Sequence, residues 1–221
     1  MRTPCPVLGD PFDLLDAAER DRAGRFHRTT DAADYAHSHA MMRQVLGHYS
    51  DRPPGDLAYD FGPRGKPVLT PPSEAIAFNL SHAGGRAMLG VALGRRVGID
   101  IERIRQETDV DAIAGRFFAG PEQDAIFRRH GAPRRREFFR YWCLKEAFIK
   151  AEGVGLSLPL TDFTITPADG GEFEVTVDDA ASLTGDWQMQ LLPAPDGFQA
   201  AICTDGPNAA LVDGLSLGQD T

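Results

Sequence analysis

The chain has 221 residues, 42% hydrophobic and 25% charged, which suits a soluble globular protein of one or two domains with room for a core. A formal net charge of −9 disfavours a general nucleic-acid binder, so any polyanion must be met by local basic patches. Three cysteines with no C-x-x-C spacing argue against a disulfide framework or zinc site, and the absence of an apolar leader or membrane-length run makes the cytoplasm the expected location.

Pro4, Pro6 and Pro11 work against a regular element in residues 1–12. Asp13–Phe26 reads as an amphipathic helix with Arg20, Arg22, Arg25 and Arg28 gathered near its end. That cluster is either a solvated end that complements the helix dipole or a phosphate-capturing site, for which guanidinium forks are suited. Asp31–Tyr49 is a longer helix, with Ala32, Tyr35, His39, Met42, Val45 and Leu46 at helical spacing. Its His37, His39 and His48 read as packing or surface groups, because no third ligand lies nearby. Arg52–Pro72 is a Pro/Gly-rich loop around a short strand at Lys66–Leu69. Strands follow at Ile76–His82 and Arg86–Leu93. Gly94-Arg95-Arg96 then turns the chain into a strand at Val97–Ile104.

A boundary between two halves, 1–104 and 105–221, is expected there. Asp109–His130 is largely helical, with a loop at Gly120-Pro121. Arg128, Arg129, His130, Arg134, Arg135, Arg136 and Arg140 make a basic island in an acidic protein, either a solvated face or a dock for an acidic partner. A helix over Tyr141–Lys150 stops at Gly153. Phe163–Thr166, Phe173–Val177, Trp187–Leu192 and Phe198–Thr204 read as strands, and Asp205–Thr221 as loose chain.

Two of these stretches carry chemistry. In Val97-Gly98-Ile99-Asp100-Ile101-Glu102 the apolar residues alternate with the rest, so Asp100 and Glu102 point the same way, about 7 Å apart. Like charges on one face repel unless a cation lies between them. In the helix, Trp142, Glu146 and Lys150 share one face, while Leu144, Ala147, Phe148 and Ala151 form an apolar stripe. Each feature alone fits a plain surface, as an ion pair or a solvated strand. Together Asp100, Glu102 and Glu146 make a three-carboxylate oxygen set suited to Mg2+. Lys145 points about 100° from Glu146 and reads as peripheral or as a phosphate contact.

Gly98-Ile99-Asp100-Ile101-Glu102 followed by Trp142-x-x-Lys145-Glu146-Ala147-x-x-Lys150 resembles the signature of the phosphopantetheinyl transferases, specifically the larger surfactin-synthetase type. Gly65-Lys66-Pro67, Phe78-Asn79-Leu80-Ser81-His82 and Gly155-Leu156-Ser157-Leu158-Pro159-Leu160 match in order, so the resemblance runs from about Asp13 to Phe163. It implies an α+β fold of two similar subdomains related by a pseudo-twofold, with the active site at their junction, and an opening β-strand that residues 1–12 do not show. It also implies transfer of 4′-phosphopantetheine from coenzyme A to a serine of an apo acyl or peptidyl carrier protein, with Mg2+ as cofactor and release of 3′,5′-ADP.

By the same resemblance Asp100, Glu102 and Glu146 hold the metal, Glu146 is the general base, and Lys150 meets the α-phosphate. Arg22, Arg25, Lys66, Ser81 and His82 contact coenzyme A, with Tyr35 near its 3′-phosphate. Arg134, Arg135 and Arg136 are the expected dock for an acidic carrier, and the protein is expected to be a monomer. Two alternatives stay open on the residues alone. One is a Mg2+-dependent pyrophosphate hydrolase using the same carboxylates; the other is a non-catalytic module that binds coenzyme A or the carrier.

Overall fold

The expected first helix is broken in two. The Asp16 carboxylate accepts from the Glu19 amide while the Glu19 carboxylate accepts from the Asp16 amide, a reciprocal cap that restarts the chain. The result is α1 (Pro11–Leu14) and α2 (Ala17–Gly24). The computed structural model describes residues 9–70, 76–155, 158–177 and 185–206. The first eight residues, Leu156-Ser157 and the tail from 207 onward, all named above, lie outside the described residues.

Helix α3 (Thr29–Ser50) is held to the preceding turn by Arg43, which is fully buried. Its guanidinium meets Asp16 at 2.5 Å and Glu19 at 2.6 Å and also donates to the Pro54 and Leu57 carbonyls. Burying a charge is costly, and four acceptors offset that cost. Beyond α3 an unexpected strand, β1 (Ala58–Phe61), pairs antiparallel with β2 (Pro67–Thr70). The loop residues on both sides of β1 disguise it. Leu57 and Leu69 close over Met42, Leu46 and Phe78 in a small core. Strands β3 (Ile76–Ala83) and β4 (Arg86–Leu93) form a hairpin that turns at Gly84-Gly85, both with positive φ.

Next come β5 (Val97–Arg103), α4 (Val110–Phe117) and α5 (Gly120–Phe127). Gly120-Pro121, expected in a loop, opens α5 instead, since proline fits a first helical turn whose amides are unpaired anyway. Helix α6 (Gly131–Glu152) begins well upstream of the expected Tyr141, so the arginine run lies on the helix. Strands β6 (Phe163–Pro167), β7 (Glu172–Val177), β8 (Trp187–Leu192) and β9 (Phe198–Asp205) complete an antiparallel five-stranded sheet ordered β5-β9-β8-β7-β6. The fold is α+β, as expected. No helix among the described residues is long and apolar enough to cross a membrane.

Helix α6 lies on this sheet, its Leu144, Ala147, Phe148 and Ala151 buried among Phe163, Ile165, Met189, Ala201 and Cys203. Contact with β5 is unusually close. A Cβ added to Gly98 would stand 2.0 Å from the Ala147 carbonyl oxygen and 2.3 Å from the Ala151 amide nitrogen. Only glycine lets the helix backbone rest on the strand there.

The other edge of β5 faces β3, where side chains take the place of a ladder. The Ile99 amide donates to Asn79 Oδ1 at 2.8 Å, and the Ile101 amide donates to Ser81 Oγ at 3.3 Å. Strand β5 is thus bonded to β9 on one side and to β3 on the other.

Candidate active site

Alternation along β5 and the i, i+4 spacing on α6 bring the two acidic stretches together. Asp100, only 2% exposed, receives the Lys150 ammonium on Oδ1 at 2.6 Å. Its Oδ2 is buried with no hydrogen-bond partner. Burial pushes the Glu146 carboxyl above its ordinary range; Asp100 and Glu102 push the same way, and Lys150 opposes. Glu102 is raised by burial and by the Asp100 charge, against Lys150, Arg105 and a hydrogen bond from Trp142. Indole can only donate, so the Trp142 N–H points at the Glu102 carboxylate. That indole is stacked on Phe138, with centroids 5.9 Å apart.

These carboxylate oxygens are the right donors for a hard cation, and Asp100 Oδ2 has capacity to spare. Their placement is less complete than expected: among the described residues no group of three acid, His or Cys side chains is gathered as a metal site. In this arrangement Lys150 supplies the countercharge to Asp100.

The residues expected near the 3′-phosphate stand on α2, α3 and β3. Arg22 lies over the Tyr35 ring at 5.6 Å, and Tyr35 stacks on His39 at 3.8 Å. Burial lowers the His39 pKa to about 4, so its imidazole is neutral near pH 7. Desolvation lowers the pKa of His82 too; Lys150 and Arg22 add to the effect and Asp34 opposes it. His82 thus feels the charges of both Arg22 and Lys150. Arg25 is exposed and paired with Asp21 one turn away.

Other predicted residues stand elsewhere. The Lys66 ammonium donates to the carbonyls of Val97, Lys150 and Ala151 at 3.0, 2.6 and 3.0 Å, where burial lowers its pKa to about 8. It thus satisfies carbonyls at the end of α6. Lys145 is neither peripheral nor a phosphate contact. It is fully buried and paired with buried Glu122 at 3.0 Å, and it donates to the Leu160 and Phe163 carbonyls. The turn of about 100° away from Glu146 carries it into the core. Arg134 is bonded to Asp111 through both carboxylate oxygens, and Arg135 donates to the Arg105 and Thr108 carbonyls, while Arg136 is exposed. Sequence reading missed the Trp142–Glu102 bond and the roles of Asn79 and Glu122, whose partners lie on distant elements.

Asp100 and Lys150 thus form a carboxylate–lysine pair where β5 meets α6. Comparison with known proteins gives the family. Residues 96–203 match the model of the 4′-phosphopantetheinyl transferase superfamily, and residues 9–92 match that of the 4′-phosphopantetheinyl transferase N-terminal region. The chain is 30% identical over 202 residues to the 4′-phosphopantetheinyl transferase HetI of Nostoc sp., covering 90% of this chain and 82% of that one. It is 32% identical over 193 residues to the 4′-phosphopantetheinyl transferase psf-1 of Bacillus pumilus, covering 87% and 79%. To the 4′-phosphopantetheinyl transferase Sfp of Bacillus subtilis it is 27% identical over 197 residues, covering 89% and 85%.

The chain belongs to the 4′-phosphopantetheinyl transferase superfamily. It is an enzyme that transfers phosphopantetheine from coenzyme A to a carrier protein.

Proposed function

We propose that the transfer is Mg2+-dependent and runs on Asp100, Glu102, Glu146 and Lys150 at the seam of β5 and α6. Asp100 carries this reading: a buried carboxylate with one oxygen on Lys150 and the other held by neither Lys150 nor Ser81, with the Cys143 thiol beside the group. Such an oxygen is costly to bury, and a hard divalent cation satisfies it. Asp100, Glu102 and Glu146 would hold the ion, which when bound neutralises charge on a pyrophosphate.

Glu146 takes the proton of the carrier serine, and its raised pKa brings the base nearer neutral pH. The serine oxygen bonds to the β-phosphorus as the bond from that phosphorus to the bridging oxygen breaks. The electron pair leaves with 3′,5′-ADP, and Lys150 faces that developing charge. Arg22 and His82 receive the 3′-phosphate beside Tyr35, with Arg25 able to swing in from its exposed pair. Since the Lys66 ammonium is engaged elsewhere, the adenine contact falls to the backbone around Gly65 and Lys66.

The acidic carrier docks at the start of α6, where Arg136 is the exposed cation and Arg134 and Arg135 brace the surface. The two halves, 1–104 and 105–221, close the site within one chain, so the enzyme works as a monomer. Its buried free thiols Cys143 and Cys203 suit the reducing cytoplasm.

The test is intact-mass spectrometry of an apo carrier protein incubated with the enzyme, coenzyme A and Mg2+, alongside Glu146→Gln. A gain of one phosphopantetheine with the wild type and none with the variant supports the reading. An equal gain with both, or a gain undiminished in EDTA, overturns it.

A further inference from the structure

Ser81 lies on β3, 5% exposed, facing β5. Its hydroxyl has three polar neighbours. The Ile101 amide donates to Oγ at 3.3 Å, Lys150 Nζ donates to it at 3.1 Å, and Oγ donates to Asp100 Oδ1 at 3.1 Å. A hydroxyl has one hydrogen to give and two lone pairs to offer. An amide and an ammonium can only donate, so they occupy both lone pairs, and the single hydrogen goes to Asp100. Nothing of the hydroxyl is left over for coenzyme A.

The consequence falls on Asp100. Its Oδ1 accepts from both Ser81 and Lys150, the latter at 2.6 Å. Two donors from two different elements stop the carboxylate from rotating, and Oδ2 is left as the oxygen without a partner. We infer that Ser81 is a positioning residue, whose hydroxyl orients the Asp100 carboxylate and the Lys150 ammonium so that Oδ2 is presented to the metal. This assignment rests on the Mg2+ reading above. It replaces the expectation that Ser81 contacts coenzyme A.

Asn79 provides a control. It accepts the Ile99 amide one strand repeat away and so makes the same kind of bond between β3 and β5, without a bond to Asp100 or Lys150. Mn2+ affinity, read by electron paramagnetic resonance without coenzyme A, and coenzyme A affinity, read by calorimetry in EDTA, separate the roles in Ser81→Ala, Ser81→Thr, Asn79→Ala and Asp100→Asn. In Ser81→Ala, Mn2+ affinity falls about tenfold, as removing a group that orients a ligand typically does. Coenzyme A affinity in EDTA stays within about twofold of wild type, showing the variant folded. Ser81→Thr, which keeps the hydroxyl, recovers Mn2+ affinity, and Asn79→Ala does not lose it.

Unchanged Mn2+ affinity with weakened coenzyme A binding in Ser81→Ala overturns the assignment and makes Ser81 a substrate contact. Equal loss of Mn2+ affinity in Asn79→Ala overturns it in favour of general bracing between β3 and β5. If Asp100→Asn binds Mn2+ as wild type does, the carboxylate reading itself falls. If Asp100→Asn loses Mn2+ while Ser81→Ala keeps it, only the role of Ser81 falls.

Discussion

Trp142 and Glu102 are joined across the two stretches that define the site, the indole of α6 donating to the carboxylate of β5. The ring keeps its direction because it packs on Phe138 and Phe118. Trp142→Phe preserves the aromatic contact and removes the donor. The melting temperature should shift little, while the Mg2+ concentration for half-maximal rate rises about tenfold. A rate curve against Mg2+ that superimposes on wild type would show the bond to be incidental.

Lys150 serves both Asp100 and, in the proposed reaction, the leaving phosphate. Lys150→Met keeps most of the stem and removes the charge. Turnover should fall about 10²–10³-fold, the usual cost of losing one preorganised group that stabilises developing charge. Single-turnover mass spectrometry measures this directly. A loss confined to the coenzyme A KM would assign Lys150 to ground-state binding instead.

The raised carboxyls make stability fall with pH. Glu102 and Glu146 both titrate above their ordinary 4.5 in the folded chain. Between that value and the folded one, the folded chain holds more protons than the unfolded chain, so stability decreases as pH climbs through the window. Denaturant midpoints in EDTA between about pH 4 and 8 should trace this decline. Glu146→Gln removes part of it and should be the more stable protein at neutral pH. Parallel curves for the two proteins would count against the shift.

Gly98→Ala places a methyl group within 2.0 Å of the Ala147 carbonyl oxygen, against backbone that cannot swing away. Overpacking typically costs about 1–3 kcal/mol and more where nothing yields, so this variant should lie at or beyond the high end in urea unfolding. If it folds, α6 must shift off β5 and the activity should be lost with it.

Glu122 and Lys145 stand or fall together. Removing either alone strands a buried charge at a cost of about 3–5 kcal/mol. Glu122→Leu with Lys145→Met should recover much of that loss, and a double-mutant cycle by chemical denaturation reads the coupling. Coenzyme A affinity should survive in the double variant, since neither residue reaches the site.

The parts of the molecule that follow local periodicity were legible in the sequence. Asp100 and Glu102 share a face because a strand repeats every two residues, and Glu146 and Lys150 share one because they are a helical turn apart. The strands from Phe163 to Thr204 announce themselves between turn residues in the same way. What escaped depends on partners far along the chain. The fate of Lys145 was decided by Glu122, of Lys66 by the carbonyls ending α6, and of Arg134 by Asp111. Strand β1 was missed because it is four residues long and set between Pro/Gly-rich loop segments, and it owes its pairing to β2.

The strand that carries Asp100 and Glu102 takes its ladder from β9, the last described element of the chain. During synthesis the acidic strand therefore leaves the ribosome long before its neighbour does, with one edge unpaired. A chain released short of Phe198 keeps all four proposed catalytic residues, Asp100, Glu102, Glu146 and Lys150, yet lacks the strand that lines them up.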